Sequence, residues 1–418
     1  GTAICTEANT QQYASLYFNG TGVVIAWTDG RDGDQDIYAQ FVDLNGNPHW
    51  DPNGTAICTI ANTQDFPQVT GDGSGNFYIE WRDWTSPMSI RAKKVNYAGN
   101  AIWGGSDGLP IASTSSSKGG NQIISDGDGG AIICWWDDRN GGFHYEDIYA
   151  QRIDSSGAGQ WGVNGTGVCT ANRSQGSPRM ISDGNGGAII AWQDCRRAPN
   201  LISPEHVDIF LQRVNQSGIG QWGANGTAVC TVDGWKQFPM LCNDSSGNIF
   251  VVWQDRRDGI TDSDIYAQKL DENGVAQWTV NGTLISNATS YQEAPKVISD
   301  GAGGAIIAWR DSRNGAYYDI YAQRVDSNGV PQGADDGVAV CTAIYHQWGL
   351  EMCSDDNGGA FLVWEDERTD LTGSGSDIYA QRVYISPKNG GGIPGFSLLY
   401  LIIGALAIIS IHQRKRIS

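Results

Sequence analysis

A tryptophan recurs at near-even spacing, at positions 27, 81, 135, 192, 253, 309 and 364. Each opens the phrase W-x-D, and in six of the seven places the phrase runs on to W-x-D-x-R and then to an aspartate that opens D-I-Y-A-Q or a close variant. Trp309-Arg310-Asp311-Ser312-Arg313, followed by Asp319 to Asp326, is one copy. A chain with a near-fixed period repeats one supersecondary unit, which must stack on its neighbours to bury its hydrophobic face.

Each repeat divides into four short runs. In the fourth these are 178–183 (P-R-M-I-S-D), 188–192 (A-I-I-A-W), 208–214 (D-I-F-L-Q-R-V) and 226–230 (G-T-A-V-C). They are rich in β-branched and aromatic residues, and Gly, Asn and Asp bound them, which is the pattern of strands and turns. The second run is apolar at nearly every position, as expected of a strand covered on both faces. No sustained 3.6-residue period precedes residue 396. The fold class this implies is all-β, a seven-bladed β-propeller of four-stranded antiparallel blades over residues 1–385. A β-solenoid is the rival, but its coils are usually shorter.

The G-T-A-V-C phrase or a variant of it begins at residues 1, 54, 108 (as G-L-P-I-A), 165, 226, 282 and 337. The first copy precedes every other strand, and none follows Val383. Residues 1–5 are therefore expected to close the last blade and remove a free edge. A piece of an eight-bladed or two-propeller protein is the alternative. The chain begins without Met and inside a repeat, so the expectation is a mature form or a fragment.

Repeat 2 departs from the pattern: Thr85 replaces the motif Arg, Ser89 the Asp that opens the third strand, and Arg91 the Tyr. The other six keep both Arg and Asp: Arg31 and Asp36, Arg139 and Asp147, Arg196 and Asp208, Arg257 and Asp264, Arg313 and Asp319, Arg368 and Asp377. Joint presence and joint loss predict six structural pairs, each a charge-assisted bond bridging the second and third strands.

The formal net charge is −19, and from Lys388 onward the chain holds Lys388, Arg414, Lys415 and Arg416 without an acid. So acidic a body repels nucleic acid and anionic lipid; a solvated acidic surface is the plainest reading. Of nine cysteines, five sit at one repeat position (5, 58, 169, 230, 341), and Cys242 and Cys353 follow Cys230 and Cys341 at the same offset. That coincidence suggests disulfides, but the two strands are expected to lie beyond the ~7 Å Cα limit, so buried thiols are favoured. N-x-S/T sequons at 19, 53, 164, 172, 215, 225, 243, 281 and 287 are compatible with an exported glycoprotein, although the N-G-T copies are accounted for by turn chemistry.

Residues 386–392 read as a Gly-rich linker. From Phe396 to Ile411 the chain is uncharged, and it ends H-Q-R-K-R-I-S, so residues 393–418 are expected to form a single transmembrane helix with a basic cytoplasmic end and the propeller outside. Pro394-Gly395-Phe396, the hydrophobic segment and Arg414-Lys415-Arg416 together resemble the PGF-type C-terminal sorting signal of archaeal surface proteins. The resemblance covers only the stretch from Pro394 to the end of the chain. It implies an archaeosortase-like processing enzyme as a partner and replacement of the helix by a lipid anchor. The repeats are similar to propeller repeats of secreted archaeal and bacterial proteins, which implies a cell-surface location more than an activity.

Catalytic signatures are sparse. The W-x-D aspartate occurs in every repeat, whereas a catalytic residue is normally needed once. The histidines at 49, 144, 206, 346 and 412 show no ligand spacing, and no nucleophile elbow, P-loop or dinucleotide fingerprint occurs. No cofactor is expected; calcium on the D-G-x-G-G turns (Asp126, Asp183, Asp300) is a weak alternative to hairpin turns. At one fixed offset after the G-T-A-V-C cysteine position stand Gln11, Gln64, Lys118, Gln175, Lys236, Gln292 and Gln347, near the aromatics Tyr13, Phe66, Trp235, Phe238, Tyr291, Tyr345 and Trp348. Amides beside aromatic platforms suit sugars or peptides, although most side-chain bonds go to backbone. The loop from motif Arg to third-strand Asp varies in length, shortest in repeat 1 (Arg31 to Asp36) and longest in repeat 4 (Arg196 to Asp208). Variable loops on a rigid frame are where binding concentrates. The ligand site is therefore expected at the loop-bearing end, around Gln292, Gln347, Trp235, Tyr291, Tyr345 and Trp348. The function expected is a binding module for an extracellular glycan or protein. A propeller hydrolase or lyase using Asp65, Glu293 and Glu351 is the alternative, and a structural envelope role is third.

Overall fold

The computed structural model describes residues 2–141, 145–199, 206–259, 261–368 and 377–386. The linker from 387, the hydrophobic segment and Pro394-Gly395-Phe396 lie outside them. The described residues form strands and turns, and no helix among them is long and apolar enough to cross a membrane. They fall into two compact bodies, one built on Gly1–Ile190 with Arg213–Asn225, the other on Ala191–Gln212 with the residues from Gly226. Repeats 1–3 lie in the first, repeats 5–7 in the second, and repeat 4 is divided between them.

Within a repeat the strands follow sequence order as an antiparallel meander. Repeat 1 runs Gln11–Phe18, Gly22–Asp29, Asp36–Asp43 and Thr55–Cys58; repeat 6 runs Gln292–Ser299, Ala305–Asp311, Asp319–Val325 and Val338–Cys341. The second and third strands pair in unbroken register, so the W-x-D aspartate faces the first residue of the third strand: Asp29 with Asp36, Asp83 with Ser89, Asp311 with Asp319. The first strand carries a β-bulge, between Gln12 and Ser15 in repeat 1 and between Glu293 and Lys296 in repeat 6. A residue inside the bulge takes a positive φ, as at Tyr13 (55°), Phe66 (51°), Phe238 (52°) and Ala294 (50°). Non-glycine residues in that region are strained and persist only where the surroundings hold them.

The core lies between successive sheets. Val24, Ala26, Ile37 and Phe41 of repeat 1 pack with Val69, Phe77, Ile79 and Trp81 of repeat 2. In the second body Phe250, Val252 and Ile265 pack with Ala305, Ile307 and Trp309, whose sheet in turn covers Leu350, Leu362 and Trp364 with its other face. That sandwiching explains the apolar second strand.

Polar ties join neighbours. A second tryptophan, after the third strand, donates its indole N–H to the next repeat's turn: Trp50 to Tyr97 O at 3.0 Å, Trp161 to Gln216 O at 2.9 Å, Trp278 to Ser327 O at 3.1 Å. The N-G-T asparagines accept a backbone N–H from the preceding repeat: Asn53 from Thr6, Asn164 from Ser113, Asn225 from Thr170, Asn281 from Thr231. The glycine that follows is required by contact, because a Cβ on Gly54 (φ +96°) would lie 2.3 Å from the Trp27 ring.

Two expectations are corrected here. Residues 2–5 form no strand, and the last third strand, Asp377–Val383, pairs only with Ala360–Asp366 among the described residues, so the strand expected over residues 1–5 is not among the strands of the described residues. Cys5 instead engages the next Trp-Asp-Arg phrase, its Sγ 3.4 Å from Arg31 Nη2, as Cys230 does with Arg257. The six Arg–Asp pairs are also reassigned. Arg31, Arg139, Arg196, Arg257, Arg313 and Arg368 bind the W-x-D aspartate two residues earlier, at 2.5–2.6 Å, and not Asp36, Asp147, Asp208, Asp264, Asp319 and Asp377. The reason is local: the Arg backbone N–H bonds that carboxylate, as Arg313 N does Asp311 at 2.9 Å, which turns the chain back and lays the guanidinium over it. The nine cysteines form no disulfide.

Candidate functional site

The repeated phrase builds a latch at one end of each blade. Trp309 Nε1 donates to Asp311 Oδ2 (2.8 Å); Arg313 holds the same carboxylate, reaches Asp336 O (2.7 Å), and stacks on Tyr321, 3.9 Å from the ring centroid. The same set recurs on Asp29 and Asp255. These carboxylates are buried and filled by the protein's own donors, so they are structural. Repeat 2 explains its own departures: Arg91, standing where five repeats have Tyr and repeat 4 has Phe210, reaches back to Asp83 (2.7 Å) and to Asp107 O and Gly108 O. Thr85 adds a hydroxyl at 2.7 Å. The guanidinium has moved from loop to strand.

The opposing third-strand aspartates lack that guanidinium. Burial, then neighbouring acids, pushes Asp36 up to about 6 and Asp264 to about 7; burial likewise raises Asp147 to about 6, though Asn140 bonds its carboxylate. Asp208 has a bidentate partner of its own, Arg197. The turn carboxylates weighed for calcium are used by turn amides and by third-strand arginines: Asp126 by Arg152, Asp183 by Arg213, Asp300 by Arg324.

The predicted ligand glutamines are interior. Gln292 and Gln347 are 0 % exposed and donate to Ser290 O (3.1 Å) and Tyr345 O (2.9 Å), shaping the entry to the first strand. They are withdrawn as ligand contacts, because the backbone of the entering loop covers them.

The aromatics fare differently, and the second body gathers them around two arginines that the repeat pattern did not reveal. Trp235 is the cross-strand partner of Arg256. The Arg256 guanidinium lies 5.4 Å from the Trp235 ring and 5.6 Å from that of Tyr291. In the next repeats Arg310, partner of Glu293 across the strands, lies 5.1 Å from the Tyr318 ring and 4.8 Å from Trp348. Its Nη2 is 3.3 Å from Glu293 Oε2. The Tyr318 hydroxyl donates to Glu293; burial and that carboxylate push the phenol up to about 12. His346 stacks on Trp348 (4.5 Å) and accepts the Tyr318 backbone N–H, Trp348 donates to Glu367 (3.1 Å), and Tyr345 meets Tyr317 edge to face (5.3 Å). Tyr317 is exposed and the other rings half-buried. The signal was available: Arg256, Tyr318 and His346 stand around the repeated Trp and Gln and do not themselves repeat, and Arg310 recurs only as Arg82 of repeat 2.

In the last blade, Trp348 pairs with Glu365 beside the latch, while Ser386 follows Val383, which pairs with Ala360 at the opposite end. The aromatics therefore occupy the loop-bearing end of that blade.

No family model and no curated protein matches the sequence. Among solved structures, the chain is similar to an ulvan lyase from a new family of polysaccharide lyase, with TM-score 0.56 and 10% identity over 89% of this chain and 91% of that one. The same enzyme bound to -[GlcA(1-4)Rha3S]- gives TM-score 0.55 at 10% identity, with the same shares covered. The β-propeller domain of the Trilobed protease from Pyrococcus furiosus gives 0.48 at 10% identity over 88% and 95%. This chain is a β-propeller protein. At such identities the likeness speaks for the propeller fold alone.

Proposed function

We propose that this propeller has seven blades, is a binding module held at a cell surface by its C-terminal hydrophobic segment, and takes a glycan at the loop-bearing end of its second body. The observation that carries the binding reading is the cluster of half-buried rings, Trp235, Tyr291, Tyr318 and Trp348, grouped about Arg256 and Arg310. Ring faces cover the apolar faces of sugars, and polar groups at their rims fix orientation. The surface tether and the archaeosortase-like processing rest on the sequence of residues 393–418.

A hydrolase or lyase needs a carboxyl or phenol free to move a proton. Asp65 is bidentate to Arg82, Glu293 is held by Arg310 and Tyr318, and Glu351 by Lys296 at 2.6 Å. A phenol raised to about 12 is a poor base at neutral pH. Binding without turnover is therefore the better reading. A glycan array probed with the full chain in detergent, run beside an assay for new reducing or unsaturated ends, tests it. Retention of one glycan class without cleavage is expected; cleavage, or no retention of any glycan, overturns it.

A further inference from the structure

Two arginines in this site lack what arginines elsewhere in the protein have. Arg257 holds Asp255 at 2.6 Å and Asn281 O at 3.0 Å; Arg82 grips both oxygens of Asp65. The Arg256 guanidinium, by contrast, has no ion-pair or hydrogen-bond partner among the described residues, only the Trp235 and Tyr291 rings; its Nε is buried, as is that of Arg257. Arg310 has one long bond, to Glu293, and its Nε is likewise buried without an acceptor among the described residues. The chain carries 46 acids against 27 bases, so carboxylates are not scarce. A partly desolvated guanidinium with no counter-charge is costly, and an anion from outside would supply the missing charge-assisted bonds.

The two arginines are linked by Tyr291. Its ring lies against Arg256, and its backbone oxygen accepts from Ser312 N (2.9 Å), two residues beyond Arg310. The second body thus presents, in succession, Trp235, Arg256, Tyr291, Arg310 and Trp348. Rings alternating with open guanidinium groups match a polymer that alternates apolar ring faces with acidic groups. The facing acids, Glu293 and Glu367, are occupied by Arg310, the Tyr318 hydroxyl and Trp348 Nε1, which leaves Nη1 of Arg310, whose Nε is buried, for an incoming anion.

We infer that the glycan is acidic, a uronic-acid oligosaccharide whose carboxylates dock on Arg256 and Arg310 while its sugar faces lie on Trp235, Tyr291 and Trp348. The inference rests on the glycan reading above and adds the charge. Titration of the full chain in detergent with tetragalacturonic acid, its fully methyl-esterified form, a sulfated oligosaccharide of equal length and polyglutamate tests it. The acid should bind at least about tenfold more tightly than its ester, since charge-assisted bidentate bonds are the strong ones. That advantage should shrink as salt is raised. In Arg256→Gln and Arg310→Gln, checked for an intact melting transition, the acid-to-ester preference should fall toward one. The wild-type comparison keeps the test alive if either variant misfolds. Equal binding of acid and ester overturns the inference but leaves the glycan reading standing; no binding of either removes both. Tighter binding of polyglutamate, or of the sulfated sugar, overturns the uronate assignment.

Discussion

Repeats 2 and 6 carry the same cross-strand pair, an acid on the first strand facing an arginine on the second: Asp65 with Arg82, and Glu293 with Arg310. In repeat 2 the pair is closed. Both carboxylate oxygens meet the guanidinium at 2.8 and 2.9 Å, Trp84 Nε1 caps Oδ2 at 3.0 Å, and Arg82 is covered by the Phe66 and Trp84 rings. In repeat 6 the longer glutamate is shared with Tyr318, and Arg310 keeps one 3.3 Å contact. Identical register with different donors gives a brace in one repeat and an open cation in the other. The latch contrasts in the opposite sense: its residues differ, Arg313 from the loop in repeat 6 and Arg91 from the strand in repeat 2, yet the contact with the buried aspartate is the same.

The largest expected effect breaks the latch of repeat 2. Arg91→Tyr restores the residue of other repeats but leaves Asp83, 0 % exposed, without its cation, and should cost about 3–5 kcal/mol in urea unfolding of the full chain. Adding Thr85→Arg should recover most of the loss by rebuilding the loop form. Absence of rescue would show that the two latches are not equivalent.

Next comes acidity. Glu80, on the second strand of repeat 2, stands where Ala308 stands in repeat 6, is wholly buried, and bonds only Asn121 among the described residues; burial raises it to about 8. A carboxyl whose folded pKa is raised binds more protons folded than unfolded, so its destabilising effect grows as pH rises from about 4.5 to about 8 and is constant above. Glu80→Gln should therefore melt close to wild type at pH 5 and higher at pH 8, by an amount worth on the order of a few kcal/mol. A constant offset across that window would show that Glu80 does not titrate differently on folding.

The site comparison is sharpened by Trp348→Ala against Trp84→Ala. The first should weaken glycan binding by roughly 1–3 kcal/mol, as loss of a stacking ring does. The second should leave binding unchanged while lowering the melting temperature slightly. The smallest effect separates the arginines themselves: Arg82→Gln should cost about 1 kcal/mol of stability and Arg310→Gln close to nothing, since only the former gives up a saturated ion pair. Equal costs would mean that the open geometry of Arg310 is not maintained in solution.

The fold was largely legible because tryptophan spacing and apolar runs report burial directly. Pairing was not. The loss of the motif Arg and Asp together, at Thr85 and Ser89, looked like a broken Arg–Asp bridge, when the third change, Arg91, was the decisive one: it carried the same guanidinium to the same carboxylate from another position. The interior placement of Gln292 and Gln347 was hidden because a polar residue at the mouth of a strand reads alike whether it faces water or the backbone of its own loop. Trp235, Tyr291, Tyr345 and Trp348 were found as rings, but Arg256 and Arg310 emerged only when the cross-strand register set them beside those rings.

The bulge in the first strand has a consequence for how substitutions will behave there. Gln292 and Val297 are both buried although an odd number of positions separates them, and Glu293 and Lys296, three apart, pair with Arg310 and Ala308 on one side of the second strand. The odd-even frame of the strand slips by one at Ala294. A tolerance map that alternates in one phase up to Glu293 should resume in the opposite phase from Lys296. Inserting or deleting one residue within the bulge would reset that phase for everything downstream, turning Val297 toward the side that Lys296 now occupies, so length in this short stretch should be less negotiable than chemistry.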